Sequence, residues 1–331
     1  MVWYMAVMTV VSMPRKEWRL LARDISFYVS GGSDAAQTMN KPGHWTYPLD
    51  WSYQLKRPDD YFLPCDDEGI PLRDLPGRIE RQYLPSRIAA YALANWNEHV
   101  VDGLEMSRQR FLSCCNWFAS QPEGAFRHEF MLVGMEAGWL SCIAQGEGIS
   151  VLVRGYKLTG ESYFAEAAIR AAAWLSHPVE GGGLLDHLPD GYPFLEEYPL
   201  TQYRHVLNGC LYATVGLDDL VLAGLDRTGE FTELRDGVVS GIAANLPRWE
   251  IGNWTTYDFR ANFEDDNPPN PNTLTYQNVH WILLDHLGHR LNKDELLAAA
   301  LRWRNASAST TQRLKALFGK IAYRFSHGYG T

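Results

Sequence analysis

From residue 83 onward the sequence is a run of helix-period segments with no strand–helix alternation, and that run restricts the fold to packed helices. PSRIAAYALANWNEHV (85–100) sets Ile88, Tyr91, Ala92 and Asn95 on one helical face, with Ser86 as the expected cap. GWLSCIAQGEGISVLVRGYKL (138–158) reads as a long buried helix, and the Ala-rich SYFAEAAIRAAAWLS (162–176) is helical by propensity. Val206, Leu207, Leu211, Val215 and Leu217 line a face of 201–225. Phe231, Leu234, Val238, Ile242 and Leu246 do the same in 231–249, as do Tyr276, Val279, Leu283 and Leu287 in 275–287. DELLAAALRWR (294–304) opens the last helical region. Helix pairs of this kind build either a solenoid or a closed toroid. Long Gly- and Pro-rich inserts at alternate joints, 178–200 and 250–273, would share one rim of a toroid. That geometry would bring FLEEYPL beside NWTTYDFR, and long ordered loops are usually functional.

Residues 1–77 carry little helical period, and HWTYPLDWSYQL (44–55) alternates like a strand or hairpin arm. The expected division is therefore an N-terminal segment with short strands, 1–77, and a helical domain, 78–331. The formal net charge of −9 argues against nucleic-acid binding, which needs clustered Lys and Arg. An acidic polymer could bind only through a local groove of specific arginines. The five cysteines are odd in number and contain no CxxC pair, so neither a disulfide framework nor a zinc site is expected. The first 13 residues lack a basic leader and are too short to span a bilayer, which favours a cytoplasmic location with no membrane span. Asn253 and Asn305 fit the glycosylation pattern, which carries no meaning there.

Three stretches carry ionisable groups in suggestive order. Glu196, Glu197 and Tyr198 precede Asn208 and Gly209; Tyr257, Asp258 and Arg260 sit in NWTTYDFR; Tyr276 and His280 are one turn apart on a helix. Each has an ordinary structural reading: helix-terminal carboxylates, buried tyrosines with bonded hydroxyls, a core histidine and an exposed ion pair. No nucleotide, phosphate or metal motif is present.

Taken in order, AGWLSCIAQGEGISVLVRGY, LEEYPLTQYRHVLNGCLYATVGLDDL, NWTTYDFR and TYQNVH resemble the D-glucuronyl C5-epimerase family, over roughly residues 40 to 305. YLPSRIAAYAL (83–93) is similar to the start of that family's helical domain. The resemblance implies a mainly α fold, an (α/α) toroid of antiparallel helix pairs. It implies inversion at C5 of glucuronate in a heparosan-type polymer to give iduronate, with no metal and no organic cofactor. Glu197, Tyr198, Tyr257, Arg260 and Tyr276 would line the cleft. Gln277 and Glu147 depart from the family's usual His and Gln, which leaves the polymer open.

Epimerisation needs a base on each face of the ring, neutralisation of the substrate carboxylate and exclusion of water. Glu197 suits one face if burial and Glu196 raise its pKa from about 4.3 toward neutral. Tyr276 suits the other face as a protonated acid, with Tyr257 and Tyr198 orienting the ring or relaying protons. Arg260 is expected to hold the substrate carboxylate in a fork. Gln145, Arg154, Arg204, Asn208 and His280 are expected as further substrate contacts. The partner is then an acidic polysaccharide, and a homodimer is compatible with the reading. A uronate lyase shares the same proton abstraction. A glycoside hydrolase could use Glu196 or Glu197 with Asp258, and a non-catalytic glycan-binding protein could use the aromatics (13% of residues, with 12 Trp and 17 Tyr) as stacking platforms.

Overall fold

The computed structural model describes residues 25–31, 37–38, 45–56, 61–75, 81–132, 134–200, 205–260 and 269–327. Among the described residues nine long helices dominate: α1 Pro85–Asp102, α2 Glu105–Ala119, α3 Cys142–Thr159, α4 Ser162–Ser176, α5 Leu207–Leu222, α6 Glu230–Asn245, α7 Leu274–Leu291, α8 Asp294–Ala308 and α9 Thr310–His327. Four two-stranded antiparallel hairpins accompany them: β1 Gln37–Thr38 with β2 Leu49–Asp50, β3 Leu72–Arg73 with β4 Gln82–Tyr83, β5 Leu185–His187 with β6 Pro193–Leu195, and β7 Glu250–Ile251 with β8 Trp254–Thr255.

The helices form two layers. α1, α3, α5 and α7 pack side by side as an inner row, and each is backed by its successor, α2, α4, α6 and α8. This is the mainly α, (α/α)-barrel arrangement. Composition explains the layering. α3 and α5 are buried along almost their whole length and on every side, whereas α4 buries only Phe164, Ala165, Ala167, Ala168, Ala171, Ala172 and Leu175. Glycine lets the two central helices touch backbone to backbone. A Cβ on Gly146 would lie 2.3 Å from Ala213 Cα, and one on Gly216 would lie 2.3 Å from the Gly146 carbonyl oxygen.

A strap from the N-terminal segment links the first and last inner helices. Asn97 on α1 accepts from the Tyr47 N–H at 2.8 Å and donates to the Tyr47 and Leu49 carbonyls, while β1 and β2 lie against α7. Tyr47, Leu49, Phe62 and Ile70 share the one large core cluster with the helices. At the centre Arg154 is fully buried and binds Asp219 at 2.5 Å, the Ser150 carbonyl and the Trp45 and Thr46 carbonyls of the strap. Arg290 of α7 also reaches Asp219, at 3.2 Å.

Several expectations need adjusting. α2 and α9 were not anticipated, and Ser86 lies inside α1, which starts from Leu84 with no side-chain cap and Pro85 as its first residue. The 44–55 stretch contributes only the two residues of β2 before a one-turn helix, Ser52–Leu55. All five thiols are free. Cys114, Cys115, Cys142 and Cys210 are buried in the helix walls, and Cys65 is half-buried.

Candidate active site

The two long inserts meet on one rim, as a toroid requires. β5 and β6 pair with Asp186 opposite Phe194, and the chain leaves β6 directly into Glu196-Glu197-Tyr198. This turn is fixed by backbone bonds: the Glu196 N–H donates to the Leu184 carbonyl, and the Cys142 N–H at the start of α3 donates to the Glu196 carbonyl. Glu197 therefore rests on the first turn of α5. Gly209 makes room for it, because a Cβ there would come within 2.7 Å of Glu197 Cβ. Asn208 Nδ2 donates to Glu197 Oε2 at 3.2 Å.

On the opposing insert, the residues after β8 are held by their backbone. The Thr256, Tyr257 and Arg260 N–H groups donate to the carbonyls of Trp249, Asn270 and Arg248. Asn272 braces the same loop through the Thr256 carbonyl and Thr255 Oγ1. Tyr257 is thereby aimed at the Glu197 loop, and its hydroxyl donates to the Tyr198 hydroxyl at 3.3 Å. Tyr198 in turn hydrogen-bonds the Glu197 carboxylate. Tyr276, in the first turn of α7, faces Tyr257 edge to face at 6.0 Å between ring centroids. The Thr273 side chain caps that helix by accepting from the Tyr276 N–H.

Glu197 is 5% exposed. Burial outweighs its hydrogen bonds from Tyr198 and Asn208, and with smaller contributions from the Glu196 and Asp258 charges its pKa rises to about 7. Such a carboxyl group can both take and return a proton near neutrality. Tyr276, 37% exposed, is pushed up to about 12 by burial first and then by the Glu197 charge. Burial and the Glu197 charge also raise Tyr198 and Tyr257, so all three phenols stay protonated and can act as donors. The arrangement is a hydrogen-bonded line, Tyr257 to Tyr198 to Glu197, with a separate phenol across from it.

Three residues expected to touch substrate are closed inside the protein instead. Arg154 spends every donor on Asp219 and backbone carbonyls. Gln145 accepts from the Phe126 N–H and donates to the Gly124 and Ala171 carbonyls, so it ties α3 to its neighbours. His280 is fully buried below Tyr276, its Nδ1 near Thr255 Oγ1 and Asn272 Nδ2, and burial lowers its pKa to about 3. Arg260 is half-buried, with Nη1 on the Glu250 carbonyl. Arg204 lies outside the described residues. Asn208, a weaker expectation, is a direct partner of Glu197.

Two features of the site were not anticipated. Trp139 stacks on His128 at 4.1 Å and stands 6.2 Å from the Tyr198 ring, forming an aromatic flank. Behind Glu197, Glu196 Oε1 meets His205 Nδ1 at 2.5 Å. With Asp186 these two residues offer ligand atoms within 4.8 Å of one another, the only such group among the described residues able to hold a metal ion. The EEYP motif contains half of this pair, but nothing in local spacing ties His205 to it.

Residues 122–305 match the family model described as the D-glucuronyl C5-epimerase C-terminus. The chain belongs to this family. It is 34% identical over 177 residues to a Caenorhabditis elegans D-glucuronyl C5-epimerase, covering 50% of this chain and 28% of that protein. It is 30% identical over 139 residues to an uncharacterised protein of Methanocaldococcus jannaschii, covering 40% of this chain and 44% of the other. The chain thus corresponds to less than half the length of either relative. A polysaccharide lyase structure aligns over 93% of this chain and 92% of its own, with a TM-score of 0.48 and 10% identity. Glu197, Tyr198, Tyr257 and Tyr276 all fall inside the span matched by the epimerase family model.

Proposed function

We propose that this protein inverts C5 of D-glucuronate residues within a heparosan-type polysaccharide, giving L-iduronate without a cofactor. The observation that carries the reading is the convergence of the Glu197 carboxyl, tuned to about 7, with the Tyr198–Tyr257 pair and the facing Tyr276. Membership of the epimerase family supports it.

In this mechanism the Glu197 carboxylate removes the C5 proton, and the C–H electron pair moves into the C5–C6 bond to give an enolate at the substrate carboxylate. Arg260 supplies positive charge to that group. Tyr276 gives its phenolic proton to the opposite face of C5, which completes the inversion and leaves a phenolate. The proton on Glu197 then passes through Tyr198 and Tyr257 to that phenolate. The transfer runs downhill, from a carboxyl near 7 to a phenol near 12. The Glu196–His205 pair fixes the backbone beside the base.

The test is incubation of heparosan and N-sulfated heparosan in deuterated water, read by NMR. Deuterium at C5 together with iduronate is expected. Both should fall by at least about 100-fold in Glu197→Gln and Tyr276→Phe, the scale for loss of a general acid or base. Loss of polymer length with an unsaturated, ultraviolet-absorbing end would instead identify a lyase.

A further inference from the structure

The β5–β6 hairpin sets two carboxylates on one face. Asp186 pairs with Phe194, and the Glu196 N–H still donates to the Leu184 carbonyl, so the pairing runs on to Glu196. Side chains two residues apart on a strand share a face, which makes Asp186 and Glu196 diagonal neighbours there. That face is turned inward: Phe194 is fully buried and Glu196 is 1% exposed. Like charges so placed repel, and burial leaves them poorly screened.

His205, just ahead of α5, completes the group. Its Nδ1 stands 2.5 Å from Glu196 Oε1, and Asp186, Glu196 and His205 each hold a ligand atom within 4.8 Å of the others. Phe194 and Phe259 brace the imidazole edge to face, and the His205 carbonyl accepts from Trp249 Nε1 at 2.9 Å. These neighbours fix the ring and supply no charge. With His205 Nδ1 spent on Glu196, Asp186 is left over. It is half-buried, yet its Oδ2 is closed to solvent and accepts no hydrogen bond. Among the described residues no lysine or arginine pairs with either carboxylate. Buried charges are normally paired or coordinate a metal, and structural metal sites are closed in this way.

An imidazole nitrogen with two carboxylate oxygens suits zinc and its transition-metal neighbours, whereas calcium takes about six to eight oxygens. We propose that Asp186, Glu196 and His205 form a binding site for one divalent transition cation of the zinc class. Bonds of about 2.0–2.2 Å from such an ion draw the three donors inward and replace the Glu196–His205 contact. The ion ties the hairpin to the start of α5, on either side of Glu197, and it sits on the carboxylate that the proton path does not use. Its role is structural, so the site stands apart from the reaction proposed for Glu197. The three ligands are scattered over 186–205 in no recognised metal spacing, which hides the set in the sequence.

The experiment strips the full chain with a chelator, titrates zinc chloride by calorimetry and follows thermal melting with and without the ion. Manganese and calcium chlorides run in parallel. One zinc per chain and a higher melting temperature are expected. Asp186→Asn is the deciding variant. The buried Asp186 oxygen has no partner to lose, so the metal-free variant should melt no lower than wild type. Its zinc affinity should fall by at least about 100-fold, because losing even a group behind the ligands costs about 10–100-fold. His205→Gln should lose the same response. No zinc binding and no melting shift in wild type overturn the site. Binding that survives undiminished in Asp186→Asn overturns it too, as attachment to surface histidines. A response to calcium alone removes the zinc-class assignment. No substrate enters either measurement, so failure of this site and failure of the epimerase reading are read separately.

Discussion

At the scale of single residues, burial decides the chemistry. Among the described residues neither Glu197 nor Glu147 has a cationic partner, and both are raised chiefly by desolvation, to about 7 and about 8. They differ in surroundings. Glu197 is bonded by Tyr198, which Tyr257 bonds in turn, whereas Glu147 sits in the core with the Tyr47 hydroxyl 3.5 Å away. Under the proposed mechanism Glu197 must be ionised to act as the base, so kcat/KM should fall about tenfold per pH unit below about 7 and level off above it. With Tyr276 near 12, no alkaline limb is expected below about pH 10. A flat profile between pH 5 and 7 would remove Glu197 from the role of base. Both raised carboxyls make stability depend on pH, Glu197 up to about 7 and Glu147 up to about 8. For Glu147, in the core, this is the whole signature. Its folded pKa exceeds its unfolded value of 4.5, so the native state holds the extra proton between about 4.5 and about 8. Stability therefore declines as pH rises through that window and stops declining above it. Glu147→Gln should melt higher than wild type at pH 8 and should flatten this dependence, as measured by thermal unfolding across pH.

At the scale of elements, the close contact of α3 and α5 is the most exacting feature. Gly146→Ala would drive a methyl group into the Ala213 and Tyr212 backbone, which cannot yield as a flexible side chain could. It should lower stability by about 1–3 kcal/mol, the usual cost of overpacking, in denaturant titration. The same close approach explains what was legible in the sequence. Val206, Leu207, Leu211, Val215 and Leu217 announced a buried helix, and all five are fully buried. The inserts at alternate joints foretold that Tyr198 and Tyr257 would meet, because helix hairpins return every second loop to one rim. α2 was missed although Phe111, Cys114, Cys115 and Phe118 stand at helical spacing, since its charged outer face dilutes the signal. Arg154 and Gln145 were misassigned for a different reason. Sequence shows a polar side chain on a helix but not whether that helix is buried on every side, and α3 is.

For the whole molecule, the Arg154–Asp219 pair joins the strap, α3 and α5, and Arg290 extends the network to α7. Replacing Asp219 by Asn strands a buried guanidinium. It should cost about 3–5 kcal/mol, whereas exposed pairs such as Arg108–Glu105 should cost under about 1 kcal/mol. Equal losses from the two changes, in chemical denaturation, would show that the pair does not hold the ring together.

The distribution of cysteines has a practical consequence. Burial raises the pKa of Cys114, Cys115, Cys142 and Cys210, so none of these thiols reacts while its wall is closed. Burial raises the Cys65 thiol too, but Cys65 is only half-buried, so a thiol reagent should label it first and the other four only when a helix pair breathes. Mass spectrometry of that slow labelling would time the opening of each wall in unmodified protein. Cys142 and Cys210, on the two helices beneath Glu197, would act as clocks for the floor of the candidate site.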